Sequence, residues 1–339
     1  MSSPQILRSG SATACVERIR AAQRVLVVCH VDPDGDAIGS LLGLGWFLHA
    51  LGIPHSLACE SVVPGSFDFL PRSGPILTQC ADEYDLIVSV DCNDLGRLGQ
   101  CAAGLALAGV PTVNIDHHVT NPLFGTVHWV DSEAAATAEM VYELAAPLGI
   151  ALAAEAALCL LTGVVTDTQA FRTPNTTPHT LETALQLMNA GASLNEVITR
   201  TVDSRGFASM CLWARVINEA RLQDGVLWAE VKRAHMRKCG TGREGQKGLI
   251  NFLLTVREAR VVVLLTEMGD NLVDVSLRSI PGLEVSTAAV RLNGGGHPQA
   301  AGCTLKMSLA EAGAAVRAVL KQALEEQGFV WSGADSACP

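Results

Sequence analysis

Four short segments gather the side chains best suited to chemistry: His30-Val31-Asp32-Pro33-Asp34-Gly35-Asp36, Asp91-Cys92-Asn93-Asp94, Asp116-His117-His118 and Thr166-Asp167-Thr168. Each closes an apolar run. Carboxylates crowded together without a counter-charge are costly, because each poorly hydrated one costs on the order of several kcal/mol and like charges repel. Divalent cations remove that penalty. A donor set of carboxylate oxygens with a few imidazoles and no thiolate suits Mn²⁺, with Mg²⁺, Co²⁺ or Fe²⁺ as alternatives, better than structural zinc. The spacing points to two ions: Asp34 and Asp36, on a turning loop, can face different ions while Asp91 bridges them. Two ions roughly 4 Å apart can hold a hydroxide, activate it near neutral pH and stabilise charge building on a phosphoryl group. Taken singly, an Asp after a strand is an ordinary helix cap, and Asp32 and Asp94 read as solvated or capping groups. His49, His55, His128, His179 and His235 lack such context and read as ordinary surface or packed residues.

For the four segments to meet, the runs before them must be neighbours. Arg24–Cys29, Leu86–Val90 and Thr112–Ile115 read as strands of one parallel sheet, and Ala37–Leu51, Thr137–Leu148 and Ala151–Val165 as helices that cover it. Ligands of such sheets collect at the carboxyl ends of the strands, where the polar segments fall. After a helical connector over 201–222 the pattern restarts: a strand at Val226–Val231, a helix at Gly245–Glu258, a hairpin of Arg260–Glu267 with Leu272–Arg278 turned at Gly269-Asp270, a helix at Val285–Leu292 and a closing helix at Leu309–Glu326. The expected fold class is therefore α/β: a parallel-sheet domain over 1–200 with helices on both faces, the linker, a smaller α/β domain over 223–328 with a cleft between the two, and a frayed tail over 329–339.

The composition narrows the partners. Hydrophobic residues make up 49% and charged residues 17% of the 339, as in a compact globular protein of two domains. A formal net charge of −10 speaks against a protein that grips long duplexes, while a small anionic substrate stays compatible with a metal site and a few arginines. The 11 cysteines form no C-x-x-C pair, and Cys29, Cys159 and Cys211 stand in apolar surroundings like small core thiols. No disulfide framework or zinc finger is expected, which points to the cytoplasm. The first ten residues lack an apolar signal core, and no run approaches the ~20 apolar residues of a membrane span.

These residues resemble the DHH phosphoesterases, named for the triplet that here is Asp116-His117-His118. His30–Ser40 is similar to that family's opening signature, and Asp91 and Asp167 fall where its second and fourth motifs would. Gly294–Gly302, preceded by Ser276-Leu277-Arg278-Ser279, resembles the DHHA1 substrate-binding domain, so the likeness spans nearly the whole chain. Within the family it is nearest the short nanoRNase-like oligoribonucleases and pAp phosphatases. The resemblance implies one metal held by His30, Asp34 and Asp91 and a second by Asp36, Asp91, His117 and Asp167. It implies that Asp116 orients an imidazole and that His118 faces the phosphate as donor or proton source. It further implies that Arg278, Gly294, Gly295, Gly296 and His297 hold the nucleotide. One departure is local: Thr168-Gln169 stands where the family often has Thr-Gly.

The substrate so implied is a small nucleotide such as 3′-phosphoadenosine-5′-phosphate (pAp), or a single-stranded RNA of roughly two to five nucleotides, with homodimerisation left open. Rival readings are a cyclic or linear dinucleotide phosphodiesterase, an inorganic pyrophosphatase, and a non-catalytic metal-dependent nucleotide sensor. A dinucleotide-binding dehydrogenase fits poorly, because the glycine run follows a helix near the C-terminus instead of opening one after the first strand.

Overall fold

The computed structural model describes residues 7–72, 74–80, 83–331 and 335–336. The first six residues, where no signal core was expected, and most of the expected frayed tail lie outside them. The chain divides into two compact units, Met1–Ser204 and Arg205–Pro339.

In unit 1 the strands are β1 (Arg8–Gly10), β2 (Val25–Val28), β3 (His55–Ala58), β4 (Ile76–Leu77), β5 (Leu86–Val90), β6 (Thr112–Asp116) and β7 (Val127–Asp131), in the sheet order β1-β7-β6-β5-β2-β3-β4. All neighbours run parallel except β1, which joins β7 antiparallel. Every residue of β2, β5 and β6 is buried, so these strands read as continuous apolar runs covered on both faces. The helices are α1 (Ala12–Ala21), α2 (Gly35–Ala50), α3 (Gln100–Leu107), α4 (Thr137–Glu143), α5 (Ala145–Leu148), α6 (Ala154–Asp167), α7 (Pro178–Asn189) and α8 (Leu194–Thr201).

One packing decision positions the site. A Cβ added at Gly39 of α2 would lie 2.5 Å from the Cys159 carbonyl of α6, and one at Gly163 of α6 would lie 2.5 Å from Ala138 of α4. Each helical glycine costs roughly 0.5–1 kcal/mol in backbone entropy. The close approach it permits brings the start of α2, with Asp34 and Asp36, level with the end of α6, with Asp167.

Unit 2 contains α9 (Phe207–Glu219), β8 (Arg221–Gln223), β9 (Val226–Val231), α10 (Arg233–Cys239), α11 (Leu249–Leu253), β10 (Val261–Gly269), β11 (Leu272–Ser279), α12 (Ser286–Arg291), β12 (Gly295–His297), β13 (Ala300–Leu305), α13 (Leu309–Glu325) and β14 (Asp335–Ser336). Its sheet order is β12-β13-β11-β10-β9-β8-β14, and only β9 and β10 run parallel. Burial in β11 alternates strictly, with Val273, Val275 and Leu277 packed against α12 and α13. The facing cluster of Val262, Leu264, Leu212 and Leu249 lies under α9 and α11. The expected hairpin forms, with a bulge between Glu267 and Gly269 that shifts its turn to Asp270-Asn271.

Two expectations need correction. Over Gly245–Glu258 only Leu249–Leu253 is α-helical, because Gly248 takes φ +81° and the Gly245 carbonyl is drawn off to accept from Trp213 Nε1 at 3.0 Å. Cys29 and Cys159 are buried free thiols as expected, but Cys211 is a half-buried residue joined to Cys239 by a disulfide with a Cα separation of 5.7 Å. The two cysteines are 28 residues apart and meet only because α9 and α10 pack together. Cys80 is disulfide-bonded as well. Among the described residues no helix is long and apolar enough to cross a membrane.

Candidate metal centre

The four sequence segments converge at the carboxyl ends of β2, β5 and β6 and the last turn of α6. His30 follows β2, Asp91 follows β5 in a left-handed conformation of φ +54°, and Asp116 closes β6. Three groups sit close enough to share a cation: His30, Asp34 and Asp91; Asp36, His117 and Asp167; and Asp91, His117 and His118. Asp91 belongs to two of them and offers a different oxygen to each side. Its Oδ2 is 3.6 Å from His30 Nε2, and its Oδ1 is 3.7 Å from His117 Nε2 and 3.7 Å from His118 Nδ1. His30 Nε2 lies 4.0 Å from Asp34 Oδ1, and His117 Nε2 lies 3.9 Å from Asp36 Oδ2 and 3.6 Å from Asp167 Oδ2.

These separations are the fit test for a metal. They exceed a hydrogen bond of about 2.7–3.2 Å. Two ligands held about 2.1 Å from one ion lie about 3.0–4.2 Å apart, depending on the angle between them. The donor set fits divalent cations.

The groups behind the donors set their direction. His30 Nδ1 is 2.8 Å from the Val31 carbonyl and His117 Nδ1 is 3.3 Å from the Ala134 carbonyl, contacts that place the proton on Nδ1 and leave Nε2 facing the carboxylates. Arg97 Nη2 lies 3.1 Å from the same His30 nitrogen, which cannot accept from it in that tautomer. His118 Nδ1 is held by Asp116 Oδ1 at 2.7 Å, while Asp116 Oδ2 accepts from Asn121 Nδ2 at 2.6 Å. His118 Nε2 is then the ring nitrogen turned away from Asp116. Asp36 accepts the backbone N–H groups of Thr137 at 2.6 Å and Ala138 at 2.9 Å, and Thr137 Oγ1 donates to Asp91 Oδ1 at 3.1 Å. Asp32 contacts Ser61 and Asp94 caps the turn at Leu95–Leu98, as expected of groups outside the cluster.

Thr137, Asn121 and Arg97 escaped the sequence reading, since none of them stands in a motif of acidic or imidazole residues. Thr137 is fully buried and its hydroxyl points at the shared carboxylate. Thr137→Val, which keeps the volume and removes the donor, is expected to weaken Mn²⁺ binding by about tenfold, with Thr137→Ser restoring it. Calorimetric titration reads the effect, and an unchanged affinity in the valine variant would refute the orienting role.

Burial and the mutual charges of these groups pull their protonation in different directions. Burial alone would raise the Asp91 carboxyl, but contact with His30 and the charges of His117 and His118 outweigh it and bring it down to about 2. Burial opposes the charged form of His117, yet Asp167, Asp91 and Asp36 together raise it to about 9. Burial lifts Asp167 to about 6 against the pull of His117. Asp36 is pushed upward by burial and by Asp91 and Asp167.

The fourth motif ends in strained backbone. Gln169, Ala170 and Phe171 are consecutively left-handed, at φ +49°, +59° and +62°. Each such residue costs roughly 1–2 kcal/mol. Glycine would meet no such penalty at position 169, which gives the departure from Thr-Gly a physical cost. The turn is held by Ala170 N donating to Val165 O at 2.7 Å and Phe171 N to Thr168 Oγ1 at 3.1 Å.

In unit 2, strand register sets Arg278 of β11, Ala300 of β13 and His297 of β12 in one cross-strand row. Side chains so paired share a face, and two strand spacings separate the ends of the row by about 10 Å. Burial lowers the Arg278 guanidinium from its ordinary value, and its Nη1 donates to the Leu277 carbonyl at 2.9 Å. The glycine run has a packing role as well. A Cβ at Gly294 would lie 2.1 Å from the Gly302 carbonyl and one at Gly296, at φ +137°, 2.5 Å from the Ala300 carbonyl, so these two are required by packing on β13. Only Gly295 faces open space.

The DHH family, N-terminal domain, matches residues 24–164, and the DHHA1 domain matches residues 234–326. The chain is 35% identical over 311 residues to the bifunctional oligoribonuclease and PAP phosphatase NrnA of Thermus thermophilus, covering 90% of this chain and 92% of that protein. It is 27% identical over 296 residues to the protein of the same name from Bacillus subtilis, covering 86% and 93%. The crystal structure of an exopolyphosphatase-related protein from Bacteroides fragilis matches with a TM-score of 0.83 at 23% identity, covering 96% of this chain and 98% of that one, a likeness of fold.

Proposed function

The chain belongs to the DHH family of phosphoesterases, and on that premise we propose that it hydrolyses short oligoribonucleotides and pAp with the help of divalent cations, Mn²⁺ foremost. The observation that carries the reading is the sharing of Asp91 between two groups of donors at ion-sharing distances. His30, Asp34 and Asp91 would hold one cation, and Asp36, Asp91, His117 and Asp167 the other. Cations held there would supply a water of lowered pKa and would neutralise charge developing on the phosphoryl oxygens.

The remaining work falls to the protein's own residues. Asp116 holds His118 by Nδ1, so that Nε2 can donate a hydrogen bond to a phosphate oxygen or a proton to the departing oxygen. The donation suits a ring whose pKa burial opposes but whose contact with Asp116 raises above the ordinary histidine value. Arg278 and His297 are assigned to the substrate, the guanidinium as a two-pronged donor to phosphate and the imidazole as a second contact or a stacking face.

The test is a Mn²⁺-supplemented assay comparing pAp, dinucleotides, cyclic dinucleotides and pyrophosphate. Turnover of pAp and dinucleotides should exceed the other two. Preferential cleavage of a cyclic dinucleotide or of pyrophosphate would overturn the substrate assignment, and no turnover at all would favour a binding protein. In the same assay Arg278→Ala should raise KM for pAp at least about tenfold with a smaller change in kcat, as expected for loss of a charged hydrogen bond to substrate. An unchanged KM removes Arg278 from the site.

A further inference from the structure

Unit 2 holds a second concentration of charge, remote from Arg278. Although the whole chain is acidic, residues 232–247 carry six Lys and Arg and a single Glu. α10 and the loop after it wrap this segment around a concavity of about 250 Å³, into which Arg233, Arg237 and Arg243 project beside Met236, Met268 and Glu267. The concavity lies at the Glu267 end of β10, whereas Arg278 pairs with Val262 at the other end. Five strand positions, about 17 Å, separate the two.

Helix stability accounts for only part of this charge. Arg237 and Lys238 stand in the last turn of α10, where cations complement the helix dipole. Arg233, the first residue of the helix, and Lys232, its cap, stand at the end where a cation is disfavoured. The neighbouring carboxylates, Glu267 in the lining among them, match the cluster in number, so the case for an anion rests on how the arginines are placed and not on an excess of positive charge. Asp270, on the hairpin turn, is 3.4 Å from Arg233, and Asp274 is 3.5 Å from Arg243, both surface pairs of the kind that contribute little. Glu267 is engaged by the Arg233 backbone N–H at 2.8 Å, and Glu244 by Thr241 Oγ1 at 3.2 Å and Gly242 N–H at 2.8 Å. Arg237 has no carboxylate partner among the described residues.

The scaffold under these arginines is fixed. Cys239 at the end of α10 is bonded to Cys211 of α9, and Glu219 of α9 lies 3.2 Å from His235 and 2.7 Å from Lys232. Side chains held on an anchored helix give up less freedom on binding an anion. Three guanidinium forks suit phosphate oxygens, and Met268, backed by the buried Met236, offers an adaptable apolar face for a base or ribose. The volume suits a mononucleotide, below the range of about 300–1,000 Å³ typical of larger ligands.

We propose that this basic concavity is a second binding site, for a small phosphorylated nucleoside, with its phosphates held by Arg233, Arg237 and Arg243 and its base against Met268, backed by Met236. The assignment stands apart from the catalytic reading and does not depend on it.

The test is calorimetric titration of the full-length protein, in Mn²⁺, with ADP, AMP, pyrophosphate and adenosine. Two classes of ADP site are expected. The double variant Arg237→Ala/Arg243→Ala should weaken one class at least about tenfold, keep the wild-type unfolding midpoint, and leave dinucleotide turnover within about twofold. Arg278→Ala should leave that class intact. An isotherm unchanged in the double variant, or a single class of site in the wild type, would overturn the proposal. Turnover falling in parallel with binding would overturn the site's independence, and equal affinity for pyrophosphate and ADP would overturn the nucleoside assignment. Absence of hydrolysis with the second ADP site intact would sink the catalytic reading alone.

Discussion

Replacing Asp91 by asparagine is expected to lower phosphoester hydrolysis at least about 10³-fold, on the scale of losing a transition-state charge interaction, while the chain stays folded. Both oxygens of this carboxylate face donors, Oδ2 towards His30 and Oδ1 towards His117 and Thr137, so no other residue can take over its shared position. Asparagine keeps the shape and tolerates the left-handed backbone at φ +54°, whereas alanine adds a backbone cost of about 1 kcal/mol that would confuse a catalytic loss with a folding one. The substitution gives up the favourable contacts with His30, His117 and His118 that hold Asp91 at about 2, but keeps its volume and shape in a well-packed strand end. The variant should therefore match the wild type in circular dichroism and bind fewer than two equivalents of Mn²⁺. Turnover within tenfold of wild type would defeat the shared-carboxylate assignment.

Cation affinity is expected to rise about 1,000-fold between pH 6 and pH 9. His117 is held at about 9 by Asp167, Asp91 and Asp36 against its burial, and a cation needs the Nε2 lone pair that the proton occupies. For the ion held by His117, displacing that one proton gives a tenfold change for each pH unit below 9, and the raised Asp36 carboxyl can only steepen it. Below about 6 the Asp167 carboxyl is protonated as well, and the slope should double. Asp91, down at about 2, stays ionised throughout. Titration with Mn²⁺ in buffers of different ionisation enthalpy reads both the affinity and the protons released; an affinity flat from pH 6 to 9 would exclude His117 as a ligand. Folding stability without metal runs the other way. A histidine raised from 6.5 to about 9 contributes stability that is complete below pH 6.5 and fades as pH climbs through 9.

Much of this centre is visible before folding is considered. His30, Asp34, Asp36, Asp91, Asp116, His117, His118 and Asp167 stand out because acidic and imidazole groups ending apolar runs are costly unless something compensates them. The helix expected over Gly245–Glu258 is interrupted at Gly248, whose left-handed backbone does not continue a helix. In the Gly294–Gly296 run, Gly294 and Gly296 lie tight against the neighbouring strand and Gly295 faces open space, a division of roles that three identical residues cannot announce.

By itself the amino-acid sequence determined the apolar runs, their order, the α/β class and the chemical kind of the metal-ligand set, because strand and helix periods and the cost of clustered carboxylates act locally along the chain. Only tertiary structure decided that Thr137 aims at Asp91, that Asn121 braces Asp116, that Cys211 meets Cys239, and that three arginines of α10 and its loop share one hollow. Those pairings join residues distant in sequence through the packing of α2 on α6, α4 at their ends and α9 on α10. No local propensity encodes which of many possible neighbours closes such a contact.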